Sequence, residues 1–244
     1  MSETAWQIPP ADVGLDPGEV HVWRVSLAGV PPPALARVLS PDERARADRF
    51  VYDVHRHRFV TARGVLRHLL GRYLGCDPAV LRFNYGPRGK PALAAPDGTP
   101  LRFNVSHSHE LALVAVACGR EVGVDVERCD PRRAAEDIAA RFFAPEEVAA
   151  FRALPPGERV AGFFNAWTRK EAYMKATGQG LALGLDRFCV SLAPGAPPAL
   201  LSTAWNPPDA ARWSLHALDP GPGYAAALAV EGHGLTLRCF AWKT

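Results

Sequence analysis

The sequence predicts an α/β (α+β) protein, and three features of the 244-residue chain carry that expectation. Segments of strand-like apolar pattern are interleaved with segments of helical spacing. Hydrophobic residues make up 48% of the chain, enough for a substantial core. The order strand, helix, helix, strands then occurs twice. The repetition points to an ancestral duplication with its divide near Arg120, although one domain grown by insertions would produce the same order.

Taken in order, HVWRVSL (His21–Leu27) alternates as a strand does. After the prolines at 31–33 comes SPDE, where Ser40 can cap a helix, Pro41 can occupy its first turn and Glu43 can supply the reciprocal cap. A second helix is expected from about Arg56 to Leu74, with Phe59, Ala62, Leu66, Leu69, Leu70 and Tyr73 facing a core. Between Leu101 and Glu127, LRFNVS, LALVAVA and EVGVDVE read as strands, with turns at His107–Glu110 and Gly119–Arg120. LALVAVA is apolar on both faces, as a central strand requires, whereas EVGVDVE alternates and leaves one face polar. Helical sequence returns from Pro131 to Ala140, at PEEVAAFRAL (Pro145–Leu154) and from Arg159 to Thr177, where Gly178 offers a stop. WSLHAL, YAAALAV and LTLRCF close the chain as strands.

Composition narrows the function classes. No run of about 18 apolar residues is present, so no membrane-spanning helix is expected. The opening MSETAWQIPP lacks the basic start and apolar stretch of a secretory signal, which favours a cytoplasmic location. Five widely spaced cysteines form no CxxC pair, as expected of free thiols rather than a zinc site or redox dithiol. Net charge is only +3, yet Pro41–Tyr73 holds eight arginines against four acids, with His55, His57 and His68 among them. Such a stretch suits an anionic partner, be it nucleic acid, phosphate or an acidic protein.

The residues able to do chemistry are few. Asp125 and Glu127 are two apart on EVGVDVE, so their carboxylates share one face of the strand and repel unless a cation or proton sits between them. A hard divalent ion suits such oxygens. Glu171 and Lys175 are four apart on FFNAWTRKEAYMKATG and share a helical face, where an ordinary pair would be worth roughly 0.2–0.5 kcal/mol. The aromatic residues around them require this helix to pack. If the Glu171 face meets the Asp125 strand, three carboxylates converge and need a cation. NVSHSHE offers Ser106 and His107 as phosphate ligands, and it lacks the elbow of a serine hydrolase. FNYGPRGKPAL presents Arg88 and Lys90 in a glycine-rich turn that is not a Walker-type loop but could contact a nucleotide phosphate. Chemistry alone leaves three readings: a metal-dependent nuclease or phosphoesterase, a transferase, and a noncatalytic coenzyme A or carrier-binding protein.

The stretches FNYGPRGKPAL, LRFNVSHSHELALVAVA, GREVGVDVE, RFFAPEEVAAF and FFNAWTRKEAYMKATGQGL, in that order, resemble the Sfp-type 4′-phosphopantetheinyl transferases. The match runs over Phe50–Leu185, and the pairing of GVDVE with WTRKEAYMKATG is its most specific part. The resemblance implies two similar subdomains in a pseudo-twofold arrangement, residues 1–119 with basic nucleotide- and phosphate-binding groups and 120–244 with the metal carboxylates and catalytic helix. It implies a monomer that moves the phosphopantetheine arm of coenzyme A to a serine of an apo carrier protein, with no nucleic-acid or membrane partner. Asp125, Glu127 and Glu171 fall on the ligands of Mg2+, for which Mn2+ can substitute. Glu171 falls on the general base, and Lys175 on the lysine beside the pyrophosphate. Lys90, Ser106 and His107 match residues holding the nucleotide end and its phosphates, and Arg58 matches a basic group near the 3′-phosphate. One departure is Glu43, which stands where the family often has a further basic group and leaves Arg44 or Arg46 to serve.

Overall fold

The computed structural model describes residues 5–86, 89–95 and 98–243. The first half begins with strand β1 (Glu19–Ser26) and the helices α1 (Pro33–Arg37), α2 (Pro41–Asp48) and α3 (Asp53–Leu74). A hairpin follows, β2 (Arg82–Tyr85) and β3 (Pro91–Ala95), and then the strands β4 (Leu101–Ser108) and β5 (Leu111–Cys118). The second half runs through the same kinds of element in the same order. These are β6 (Val122–Arg128), the helices α4 (Glu136–Phe142), α5 (Pro145–Ala153) and α6 (Arg159–Thr177), the hairpin β7 (Phe188–Val190) and β8 (Leu200–Thr203), then β9 (Trp213–Leu218) and β10 (Tyr224–Glu231). In each half the last strand lies between the first and the one before it, antiparallel to both, as β1-β5-β4 and β6-β10-β9. The repetition in the sequence is therefore a repetition of topology. β11 (Thr236–Ala241) then crosses back and pairs in parallel with β1, so the end of the chain lies in the first half's sheet.

Three apolar clusters hold these layers. α3 packs on one face of the first sheet through Leu66, Leu69 and Leu70 against Trp23, Val114 and Val116. α6 packs on the second sheet through Ala172, Tyr173 and Ala176, among Ala227, Ala229 and the aromatic side chains of α5 and α6. Between the sheets, Val20, Val22, Leu113 and Ala115 meet Val122, Val124, Val126 and Leu228. At roughly 1.5–3 kcal/mol for each fully buried aliphatic side chain, this central cluster joins the halves firmly.

The helices before each long helix are anchored alike. Glu43, on the first turn of α2, accepts from the backbone nitrogen of Ser40 (3.0 Å) and pairs with Arg67 of α3 (2.6 Å) and with Arg63 (3.0 Å). Arg67 also donates to the carbonyls of Pro78 and Leu81. Glu147, at the same place on α5, accepts from the backbone nitrogen of Ala144 (2.9 Å) and pairs with Lys170 of α6 (2.6 Å), which donates to the carbonyls of Leu185 and Phe188. The expected cap at Glu43 is thus present. Glu43 is only 3% exposed, however, so it stands among buried arginines rather than at a phosphate position.

Other boundaries differ from expectation. α3 starts at Asp53, three residues earlier, because Tyr52 is the extended residue before it. The helix expected over Pro131–Ala140 is a single tight turn at Pro131–Arg133, capped by Asp130, followed by α4; Ala134 leaves helical geometry between them. The turn expected at His107–Glu110 is shorter. β4 continues to Ser108, and His109 (φ 52°) makes the reversal. The LALVAVA segment is β5 and is central, as its two apolar faces require. Among the described residues no helix is long and apolar enough to cross a membrane, and the five cysteines are unpaired thiols.

Candidate active site

The site forms where β4, at the edge of the first sheet, meets β6, at the edge of the second. An edge strand presents backbone N–H groups that need partners. Here side chains supply them. The amide of Val124 donates to Asn104 Oδ1 (3.0 Å), that of Val126 to Ser106 Oγ (3.4 Å) and that of Arg128 to Ser108 Oγ (3.1 Å). With Val124 and Val126 turned into the inter-sheet core, Asp125 and Glu127 project from the opposite face, as their spacing predicts.

Ser106 Oγ donates to Asp125 Oδ1 (2.8 Å) and Ser108 Oγ to Glu127 Oε2 (2.9 Å). From α6, Lys175 Nζ donates to Asp125 Oδ1 (2.6 Å) and to Ser106 Oγ (2.8 Å). Arg133 approaches Glu127 at 3.6 Å. α6 comes this near because residue 123 is glycine. A Cβ there would run into the carbonyl oxygen of Ala172 and the backbone nitrogen of Ala176.

Like charge dominates the electrostatics. Burial first, and then the neighbouring Asp125 carboxylate, raise the pKa of Glu127; Ser108, Arg133 and Lys175 oppose the shift. Glu171 is raised by burial and by Asp125, with Lys175 opposing and Glu127 adding to the rise. The helix acid therefore does share the site with the strand acids. The tight convergence expected of the three is not reached: among the described residues no group of three or more His, Cys, Asp or Glu side chains is gathered closely enough to hold a metal ion. The physical reason is repulsion, relieved here by the Lys175 ammonium on one oxygen of Asp125. The other oxygen, Oδ2, is buried with no hydrogen-bond partner among the described residues.

The remaining site residues flank this centre. His107 is exposed at its surface, yet surrounding protein takes part of its ring out of water. That partial burial, then Lys175, Arg46 and Arg58, lower its pKa. Of the α2 arginines, Arg46 is the one whose charge acts on His107. Arg58 lies 3.5 Å from Glu110, and its Nε is buried without a partner among the described residues. Lys90 Nζ binds Glu121 (3.1 Å) and the carbonyl of Ala176 at the end of α6 (3.0 Å), so it clasps the seam between the halves. It also lines a cavity of about 560 Å³ with Leu93, Phe103, Glu121, Thr177 and Gly178. Arg88 lies outside the described residues. Sequence reasoning passed over Asn104, Ser108 and Arg133. The period-two run Asn104, Ser106, Ser108 on a strand was the signal available for the first two.

Neighbouring carboxylates, a facing lysine and flanking cations are the kinds of group that phosphoryl transfer uses. Comparison with known proteins makes the class specific. A model described as 4′-phosphopantetheinyl transferase, N-terminal, matches residues 33–119, and one described as 4′-phosphopantetheinyl transferase superfamily matches 121–229. The 4′-phosphopantetheinyl transferase HetI of Nostoc sp. is 43% identical over 239 residues, covering 96% of this chain and 97% of the relative. The transferase Sfp of Bacillus subtilis is 32% identical over 154 residues (63% of this chain, 66% of the relative), and AcpT of Salmonella typhi is 40% identical over 112 (46% and 56%). The chain belongs to the 4′-phosphopantetheinyl transferase superfamily.

Proposed function

We propose that Asp125, Glu127, Glu171 and Lys175 carry out the reaction of this family, in which the 4′-phosphopantetheine arm of coenzyme A passes to a serine of an apo acyl, aryl or peptidyl carrier protein and 3′,5′-ADP leaves. The observation that carries this assignment is the set of mutually repelling carboxylates on β6 and α6, with Lys175 paired to Asp125. Asp125 Oδ2 is buried and has no hydrogen-bond partner among the described residues, which suits it to accept a cation. Oxygen-only donors suit Mg2+, with Mn2+ able to occupy the same ligands Asp125, Glu127 and Glu171. When bound there, the ion would supply positive charge against the pyrophosphate oxygens.

The chain's own side chains account for the rest. The carrier serine Oγ bonds to the β-phosphorus of coenzyme A while the bond from that phosphorus to the bridging oxygen breaks, and 3′,5′-ADP departs. Glu171, on α6 beside the strand carboxylates, takes the serine proton. Lys175 exchanges Asp125 for a phosphate oxygen on which charge accumulates. His107, Arg46 and Arg58 surround the 3′-phosphate, and Lys90 faces the nucleotide from the cavity wall. Ser106 joins the phosphate ligands once its proton is released from Asp125.

The carrier's place is suggested by the segment before α3. Val51 and Tyr52 are 89% and 68% exposed there, Val54 (48%) and Arg56 follow in the first turn of α3, and Arg44, Arg46 and Arg49 stand exposed on α2 and at its end. An apolar knuckle with a basic rim suits an acidic carrier and would speed its encounter. Val51→Asp should raise KM for the carrier and leave coenzyme A affinity unchanged. Mass spectrometry of an apo-carrier incubated with coenzyme A tests the whole reading. The mass of the phosphopantetheine arm should appear on the carrier serine with Mg2+ and disappear with a chelator. Equal transfer in the chelator would remove the cation from the account.

A further inference from the structure

The contact between the halves at β4 and β6 is unusual in kind. Two strands side by side normally exchange backbone hydrogen bonds, yet β6 is held here by a row of side chains at every second residue of β4. Each partner lies 20 positions further along the chain. Asn104 is 4% and Ser106 5% exposed, so these are buried polar groups with their partners in place. The two serines do more than close an edge. Ser108 Oγ accepts from the amide of Arg128 and gives its proton to Glu127, the carboxylate one residue earlier on β6. Ser106 does the same between Val126 and Asp125. Each hydroxyl therefore ties a carboxylate to its own strand, and the strand to the other half of the molecule.

We propose that Asn104 and Ser108, at the two ends of this row, are positioning residues that set the height of β6 against β4 and aim Asp125 and Glu127 toward α6. The inference rests on the assignment of those carboxylates to a divalent cation, since groups that orient a metal's ligands commonly matter for its affinity. Neither Asn104 nor Ser108 needs to touch substrate for this role. Asn104 holds the start of the row, where Val124 enters the inter-sheet core. Ser108 holds its end, where β6 reaches solvent and Glu127 is freest to turn away.

The test uses the full chain and three readouts: Mn2+ titration without coenzyme A, amide hydrogen exchange at Val124, Val126 and Arg128, and kcat against KM for coenzyme A. Ser108→Ala should weaken Mn2+ binding on the order of 10-fold, speed exchange at Arg128 and lower kcat with KM for coenzyme A little changed. Ser108→Thr restores the hydroxyl and should return all three. Asn104→Leu should speed exchange at Val124, while Asn104→Asp keeps the accepting oxygen and should not. Wild-type Mn2+ affinity and wild-type exchange in Ser108→Ala would overturn the proposal, even if turnover fell. Should the wild-type protein bind no Mn2+, the cation assignment fails, and the row stands or falls on exchange and kcat. If Asn104→Leu does not fold, the partly exposed Ser108 pair decides.

Discussion

The two halves share one topology and one anchoring device, yet only the second carries the carboxylates. The strands can be aligned on the residues that face the start of the central strand, Ser26 opposite Leu111 and Arg128 opposite Tyr224. Trp23 then falls at the place of Asp125, Val25 at that of Glu127 and His21 at that of Gly123. Aligning the long helices on their buried cations, Arg67 and Lys170, sets His68 against Glu171, Arg72 against Lys175 and Tyr73 against Ala176. In the first half the space between strand and helix is full. Tyr73 OH accepts from Trp23 Nε1 (2.8 Å) and bonds His21 Nδ1 (2.7 Å), and the tryptophan and histidine are buried. In the second half glycine and alanine let the helix descend onto the strand and place ionisable groups in the gap. The strand edges differ as well: β11 seals β1 with a backbone ladder, whereas side chains of β4 close β6. A repeated scaffold thus yields one flank of cations and one set of facing carboxylates, through a change in what fills the strand–helix gap.

That contrast can be broken first at the chemistry. Asp125→Ala should abolish nearly all transfer while the protein stays folded. Glu171→Gln should retain coenzyme A binding and lose about 10²–10⁴-fold in kcat. A steady-state assay on carrier protein, with binding measured separately, checks both, and an unchanged turnover number for Glu171→Gln would end its role as base. The shared anchors come next. Lys170→Met and the double change Arg63→Met with Arg67→Met each leave a buried glutamate unpaired and should cost about 3–5 kcal/mol in denaturant unfolding. Similar losses in both halves would support the equivalence, and a negligible loss in either would undo it. Gly123→Ala should cost about 1–3 kcal/mol as the helix is pushed off and should lower kcat too, which a change at the counterpart His21 would not do.

The smallest effect concerns pH. The folded pKa of His107 lies below its unfolded value, so the folded state binds fewer protons there, and the stability it contributes falls as pH drops below about 6.5. A phosphate dianion bound beside it would raise that pKa, so coenzyme A affinity should increase as pH falls through the same window. Calorimetric titrations at several pH values should show this trend in the wild-type chain and a flatter one in His107→Gln. The same slope in both would exclude His107 as the group responsible.

Much of this was legible from residue order. Gly178 ends α6 as expected, the apolar faces of β5 place it centrally, and the period-two spacing of Asp125 and Glu127 puts both on one face. At Glu43 the cap was legible, but its wider surroundings were not: the resemblance set it where the family often has a basic group, and folding encloses the acid with Arg63 and Arg67, residues 20 and 24 further along.

By itself, then, the amino-acid order determined the kinds of element, their twofold recurrence and the residues able to bear charge, because periodicity and local capping depend on near neighbours. Only the tertiary structure decided which charges are spent in the core and which face the cleft, and that Asn104, Ser106 and Ser108 span the seam to β6. Burial and pairing depend on groups brought together from distant parts of the chain, and no local pattern contains them.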